Sequence, residues 1–230
     1  MIQDAWAPAV RLARARRVDC RKSDGLRQTL SPRMDDPMEL ILASTSPYRR
    51  TLMERLGVSF RCVAPPVDEE KLKADLGNLP PRKLAEALAT AKAAAVAKIE
   101  PDAVVIGADQ LVSLDDLIFG KPGTVEIAAG QLSTMAGRTH KLITALCVIA
   151  PHGEWHHTNV TLMLMRTLSY EEIARYVAFE RPVDCAGGYK LESRGIALFE
   201  RIETDDQTAI IGLPLMALTS ILRSLGLPIP

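Results

Sequence analysis

The run Val104-Val105-Ile106-Gly107-Ala108-Asp109-Gln110 constrains this chain more than any other stretch. Three β-branched residues in succession suit a strand buried on both faces, which requires layers of structure on either side of a sheet. Gly107-Ala108 then strips away side-chain bulk so that the backbone can be approached closely, and an acid and an amide follow. In open α/β sheets ligands lie beyond strand ends, so Asp109 is expected at a strand end, facing a ligand, with Gln110 beside it. In isolation the same residues also fit a strand running into a polar turn. The surrounding pattern decides between the two.

From Met38 the chain alternates strand and helix. Leu40-Ile41-Leu42-Ala43 reads as a short buried strand, and Ser46-Pro47 supplies an N-cap serine and a first-turn proline for a helix running to Gly57. Residues 59–64 alternate as a second strand, stopped by Pro65-Pro66. Residues 80–98 are an Ala-rich helix with Leu84, Leu88 and Ala91 in helical register. The Asp109 strand follows and turns back in a hairpin at Asp115-Asp116. A helix over 125–135 closes at Gly137. Residues 141–150 and 159–167 are expected as long antiparallel strands around Pro151-His152-Gly153. Ser169 and Glu172 form a capping box for a helix to Phe179, and a strand over 196–202 and a helix over 215–225 complete the order. Strands and helices mixed in this way predict one α/β domain: a mixed, twisted central sheet flanked by helices.

A 230-residue chain that is 47% hydrophobic can bury a sizeable core. Its formal net charge is zero, so no global field draws it to nucleic acid or to an acidic membrane surface. No apolar run approaches the roughly 18 residues of a membrane span, and neither nucleic acid nor a membrane is expected as a partner. Residues 1–37 differ from the rest, holding eight Arg/Lys against five Asp/Glu. The Arg-rich stretch 11–17 lacks the apolar centre of a secretory signal, and Asp4, Asp19, Asp24, Asp35 and Asp36 argue against a transit peptide. Asp36-Pro37 punctuates the boundary, so 1–37 reads as a disordered tail or an over-extended start, and 38–230 as the functional domain.

Cys20, Cys62, Cys147 and Cys185 are widely spaced with no C-x-x-C pair, which suggests neither a disulfide framework nor a zinc site and makes a reducing cytoplasm the simplest location. Cys62 and Cys147 lie in apolar runs and are expected to act as small hydrophobes. Cys185 has no His or Asn partner in view and reads as structural. His152, His156 and His157 flank a Pro-Gly turn and read as a solvated hairpin, because a zinc site needs converging ligands. His140 has no evident partner.

Charged residues that do not suit a solvated surface gather elsewhere. The loop Ser44-Thr45-Ser46-Pro47-Tyr48-Arg49-Arg50 joins a buried strand to a helix N-terminus, where free N–H groups and the helix dipole favour an anion. N-capping explains Ser46 and Pro47 but not two arginines in a first turn, which are unfavourable unless an anion offsets them. Asp68 and Glu69 after a strand, Lys92 in the Ala-rich helix and Lys121 after the hairpin are unremarkable singly. Together they supply cations for a polyphosphate, a carboxylate to share a divalent ion with Asp109, and a base for activating water.

The ordered set Leu42-Ala43-Ser44-Thr45-Ser46-Pro47-Tyr48-Arg49-Arg50, Val67-Asp68-Glu69, Ala91-Lys92-Ala93, Ile106-Gly107-Ala108-Asp109-Gln110, Gly120-Lys121-Pro122, Ala186-Gly187-Gly188-Tyr189 and Gly212-Leu213-Pro214 resembles the successive signatures of the Maf family of nucleoside triphosphate pyrophosphatases. The resemblance runs from Met38 to the C-terminal helix and implies a Maf/ITPase-like fold with a nucleotide cleft. It also implies hydrolysis between the α and β phosphates with a divalent metal, Mg²⁺ or Mn²⁺, and a possible homodimer. Carried over by position, it makes Asp109 the proton acceptor for the attacking water. Ser44, Ser46, Arg49, Lys92 and Lys121 become phosphate ligands, and Asp68 or Glu69 shares the metal with Asp109.

Within the family, Tyr48, Gln110 and Glu192 resemble the branch acting on 7-methyl-GTP, although that branch often carries Trp where this chain has Tyr48. N7-methylation makes guanine cationic, so Tyr48 can attract it by stacking and Glu192 can accept from its N1–H and exocyclic amine. The alternatives are a dTTP/UTP pyrophosphatase of the same family, or a non-catalytic nucleotide-binding regulator of septum formation.

Overall fold

The computed structural model describes residues 38–77 and 79–229, so the expectations for residues 1–37, Cys20 among them, lie outside the described residues. In chain order the elements are β1 (Leu40–Leu42), α1 (Pro47–Glu54), β2 (Arg61–Cys62), α2 (Glu69–Leu76), α3 (Pro81–Ala97), β3 (Val104–Leu114), β4 (Leu117–Phe119), α4 (Val125–Met135), β5 (Thr139–Ala150), β6 (Gly153–Met165), α5 (Tyr170–Glu180), β7 (Phe199–Glu203), α6 (Gln207–Ile211) and α7 (Leu215–Ser224). One mixed sheet carries all seven strands in the order β2-β1-β3-β5-β6-β7, with β4 beside β3. β1 is parallel to β2 and β3, and the remaining pairs are antiparallel.

β3 is sandwiched, as its β-branched run predicts. Val104, Ile106 and Ala108 pack with Leu52 and Met53 of α1 and with Leu215, Leu218 and Leu222 of α7. Val105 and Leu111 point the other way, into a cluster with Leu84, Leu88, Ala89 and Ala93 of α3. Beyond Leu111 the strand enters a third cluster, where Val112 and Leu114 meet α4 and α5 through Leu132, Met135, Ile173 and Val177.

Gly107 is where α3 comes closest. A Cβ there would lie 2.5 Å from the Ala89 carbonyl oxygen and 2.7 Å from the Ala93 nitrogen. The small residues Ala89 and Ala93 complete the contact from the helix side, and this close packing sets how far α3 side chains reach across β3.

Several elements depart from the sequence expectation, each for a local reason. β2 is only two residues long and both are exposed, so Cys62 is not the buried hydrophobe expected. Arg61 beside it is held by Glu39 and Glu100 at the sheet edge. β6 begins at Gly153 rather than near 159, pairing with β5 from Ala150↔Gly153 onward, because its outward residues are polar and conceal the alternation. Residues Arg194–Leu198 form a 3₁₀ turn before β7, since Gly195 lies against the Lys190 backbone, where a Cβ would meet the carbonyl oxygen at 2.3 Å. Helix α2 has no buried residue and α6 only five residues, so neither carries an apolar period to read.

His140 on β5 does have a partner. It is 1% exposed, its Nε2 lies 3.1 Å from the Tyr189 hydroxyl, and its Nδ1 has none. Tyr189 and Phe199 pack their rings around it. Burial pushes the imidazole pKa down to about 4.

Two outcomes follow from this packing. Gly107→Ala is expected to destabilise the domain by roughly 1–3 kcal/mol or more, because the added methyl meets helix backbone rather than a movable side chain; an unchanged thermal midpoint contradicts the close contact. His140 stays neutral in the fold while the unfolded chain takes up a proton below its ordinary pKa of about 6.5. Stability therefore falls as pH drops from about 6.5 to about 4, by at most about 1.4 kcal/mol per pH unit from this group. Urea denaturation across that range should show a shallower acid slope in His140→Phe than in the wild type.

Candidate active site

Asp109 does not sit at the end of its own strand. It lies in the middle of β3, and the strand that ends is its neighbour. β1 pairs with β3 only at Val104, Val105 and Ile106, and β4 begins to pair only at Val112. Among the described pairings, residues 107–111 therefore have a strand neighbour on one side alone, β5. Chain leaving β1 at Ala43 turns away there into Ser44-Thr45-Ser46, and the cleft opens in the gap. It has a volume of about 610 Å³.

Ser44, Ser46, Tyr48, Arg49, Glu69, Lys92, Asp109, Gln110, Lys121 and Glu192 all line this one cleft. Asp68 stands apart. Its exposed carboxylate is the N-cap of α2, accepting from the Lys71 amide at 3.0 Å, and the cleft lining starts with the next residue, Glu69.

A buried ion pair, with a half-exposed third member, lies at the floor of the cleft. Lys92 reaches from α3 to within 2.7 Å of Asp109 Oδ1 and 3.0 Å of Glu69 Oε1. Lys92 and Asp109 are each 5% exposed. The second Asp109 oxygen, Oδ2, is buried without a hydrogen-bond partner. An unpaired anionic oxygen in such a place is costly, and it marks where a cation or a polarised water fits. Glu69 is held below the ordinary carboxylate range: burial opposes this, but the charge and hydrogen bond of Lys92, with Lys73 and Arg49 further off, outweigh it.

Arg49 is fixed in the same cleft. Its Nε donates to the Gly212 carbonyl at 2.9 Å and its Nη1 to Ser44 Oγ at 3.4 Å. Burial lowers its pKa, countered by Asp109 and Glu69. Ser44 Oγ also accepts from the Ser46 amide at 3.1 Å, and Ser46 Oγ caps α1 by accepting from the Arg49 amide. The expectation for Arg50 is corrected: it is exposed and paired with Glu54 one turn on, so its charge is offset within the helix. Lys121 is exposed at the rim.

A different environment surrounds Tyr48. The ring is half-buried, and its hydroxyl pKa is raised by burial first and then by the neighbouring Cys185, Asp184 and Glu192. Gly187 and Gly188 both take positive φ, 77° and 70°, which turns the chain so that residues 184–192 form this wall. Lys190 Nζ sits 3.3 Å from Asp184 and leaves Glu192 exposed at the cleft.

Gln110 is on the face opposite Asp109. Its Nε2 donates to Thr144 Oγ1 at 3.0 Å, to the Ala209 carbonyl at 2.9 Å and to the Ile210 carbonyl at 3.0 Å. Thr144, its cross-strand partner on β5, also donates to Ala209 at 2.8 Å. With its amine turned onto these acceptors, Gln110 keeps its side-chain carbonyl as the group still to be used.

Sequence reasoning missed Glu70, Lys73 and the α6 carbonyls, which also belong to this site. Glu69 and Lys73 are spaced i, i+4, which puts both on one face once a helix is recognised. Nothing local could announce the backbone acceptors of 209–212.

Fold and cleft together define an α/β protein with a loop bearing serines and an arginine at a helix N-terminus and a buried carboxylate–ammonium pair in the gap of its sheet. The family model for Maf-like proteins matches residues 39–225, and the chain belongs to that family. A "7-methyl-GTP pyrophosphatase" of Bdellovibrio bacteriovorus is 49% identical over 189 residues, covering 82% of this chain and 98% of that protein. Proteins of the same name from Aromatoleum aromaticum and Xanthomonas axonopodis pv. citri are 48% and 46% identical, covering 84% and 83% of this chain and 98% of each relative.

Lys92→Met leaves the buried Asp109 carboxylate without its ammonium partner. It is expected to destabilise the domain by about 3–5 kcal/mol in urea denaturation, more than Asp109→Asn, whose amide can still accept from the ammonium. Equal, small effects of the two substitutions contradict a buried ion pair.

Proposed function

We propose that this protein is a nucleoside triphosphate pyrophosphatase that hydrolyses 7-methyl-GTP to 7-methyl-GMP and diphosphate, a house-cleaning enzyme of the cytoplasm whose catalytic unit is residues 38–230. The observation that carries the reading is the electrostatic division of the cleft. Arg49, Lys92 and Lys73 gather around Glu69, and their three positive charges are only partly offset by Glu69 and Asp109. Tyr48 feels Asp184 and Glu192. A ligand with a polyanionic tail and a cationic aromatic head matches both ends, and 7-methyl-GTP has that form.

At the phosphate end Arg49 and Lys121 take the non-bridging oxygens, Ser44 and Ser46 donate beside the loop amides, and Lys92 balances charge as it builds on the leaving diphosphate. Asp109 holds the attacking water in line with the α-phosphorus and accepts its proton. The donor set fits a hard divalent cation, Mg²⁺ or Mn²⁺, with the free Oδ2 of Asp109 and the Glu69 carboxylate as its ligands. When bound, such an ion neutralises phosphate charge and acidifies water.

At the base end Tyr48 stacks on the methylated ring, a cation–π contact worth about 0.5–2 kcal/mol. Glu192 accepts from the guanine N1–H and exocyclic amine, and the Gln110 carbonyl adds a further acceptor. A thymine or uracil ring carries no positive charge for Tyr48 to meet.

Diphosphate release should be measured with Mg²⁺ across 7-methyl-GTP, GTP, dTTP, UTP and CTP. The expected result is a preference for 7-methyl-GTP and loss of kcat, with little change in binding, in Asp109→Asn. Tyr48→Leu is expected to reduce the 7-methyl-GTP over GTP preference by about 2- to 30-fold, the equivalent of that cation–π contact. A preference for dTTP overturns the base reading, and undiminished turnover by Asp109→Asn removes that residue from the chemistry.

A further inference from the structure

A second group of metal-ligating side chains lies outside the cleft, on the β5–β6 hairpin. Cys147 on β5 is the direct cross-strand partner of His156 on β6. Glu154 is two residues before His156, so the pleat turns it to the same face. The donor atoms of the three side chains all lie within 4.8 Å of one another. Glu154 Oε1 is 2.8 Å from His156 Nε2 and 3.6 Å from Cys147 Sγ. None of the three lines the nucleotide cleft.

We propose that Cys147, Glu154 and His156 form a site for a borderline-soft divalent cation of the zinc class, separate from the hard-cation position at Asp109 and Glu69. Metal–ligand lengths of about 2.3 Å to sulfur and about 2.0–2.2 Å to nitrogen and oxygen put tetrahedral S and O about 3.6 Å apart and N and O about 3.4 Å apart. The Cys147–Glu154 spacing already has that value. His156 and Glu154 need to part by only about 0.6 Å on that geometry, and their side chains are 51% and 45% exposed and free to do so. A water completes the fourth position from the solvent side.

The donor set decides the selectivity. Thiolate, imidazole and one carboxylate suit Zn²⁺ or Co²⁺ and discriminate against Mg²⁺, which prefers an all-oxygen shell. Cys147 is buried, and burial first, then the Glu154 carboxylate, pushes its thiol pKa up to about 12. The bound ion displaces the thiol proton, which leaves to solvent, and a metal–sulfur bond forms in its place. Because its ligands come from both strands, the ion clamps the hairpin on the side of the sheet that α3 covers.

The test uses Co²⁺ as probe on the full chain in saturating Mg²⁺, which keeps the hard site filled. The expected result is one equivalent of Co²⁺ per chain with a thiolate-to-cobalt charge-transfer absorption that Zn²⁺ bleaches. Cys147→Ser abolishes the absorption, His156→Ala weakens Co²⁺ binding at least tenfold, and Asp109→Asn leaves both unchanged. His156 is a surface residue, so its variant remains informative if Cys147→Ser folds poorly. No thiolate absorption in the wild type, the same absorption in Cys147→Ser, or unaltered affinity in His156→Ala overturns the site. These readouts do not depend on the nucleotide reaction.

Discussion

The ion pair between Lys92 and Asp109 is the interaction on which the rest of this structure turns. Two opposite charges, each 5% exposed, are stable together only at close range, and they meet at 2.7 Å. That range is set by backbone, not by the side chains alone. Gly107, two residues before Asp109, lets α3 lie against β3, and Ala89 and Ala93 keep the helix side flat. A side chain at Gly107 would push α3 away from β3 and lengthen that contact. Lys92 also holds the half-exposed Glu69 of α2, so three successive elements, α2, α3 and β3, are tied together at its ammonium group.

The sheet supplies the space. β1 stops pairing at Ile106 and β4 starts at Val112, and the edge left open between them exposes both faces of β3 to one hollow. Alternation then separates the roles: Asp109 turns toward α3 and the charged groups, while Gln110 turns toward Thr144 and the α6 carbonyls. A single strand thus presents a carboxylate and an amide to one cleft. The anchor of Arg49 on the Gly212 carbonyl joins this wall to the loop after β1. Asp206 stiffens it in turn, accepting from Thr208 and from the Met216 amide to brace α6 against α7.

Much of this was legible in the chain. The buried β3 run, the Ser46-Pro47 helix start, the hairpin at Asp115-Asp116 and the Ser169–Glu172 capping box rest on local chemistry that a sequence displays. Convergence of Arg49, Lys92, Asp109 and Lys121 followed from ordered motifs rather than from periodicity. What escaped depends on partners distant in the chain. Asp109 was expected at a strand end because nothing in its own neighbourhood reveals that β1 is the strand that stops. Asp68 looked equivalent to Glu69 until α2, a helix with no buried residue, turned one inward and made the other its cap. Cys147 and His156 meet only because the hairpin register places them opposite each other.

The central claim is that the cleft holds a triphosphate with its α-phosphorus before Asp109, so that water attacks there. Turnover of 7-methyl-GTP in ¹⁸O-labelled water, with mass analysis of both products, tests this directly. Attack at the α-phosphorus places the label in the nucleoside monophosphate and none in the diphosphate. Label in the diphosphate means that water attacked the β-phosphorus, and the arrangement of Asp109, Lys92 and Arg49 described above does not then perform the reaction assigned to it.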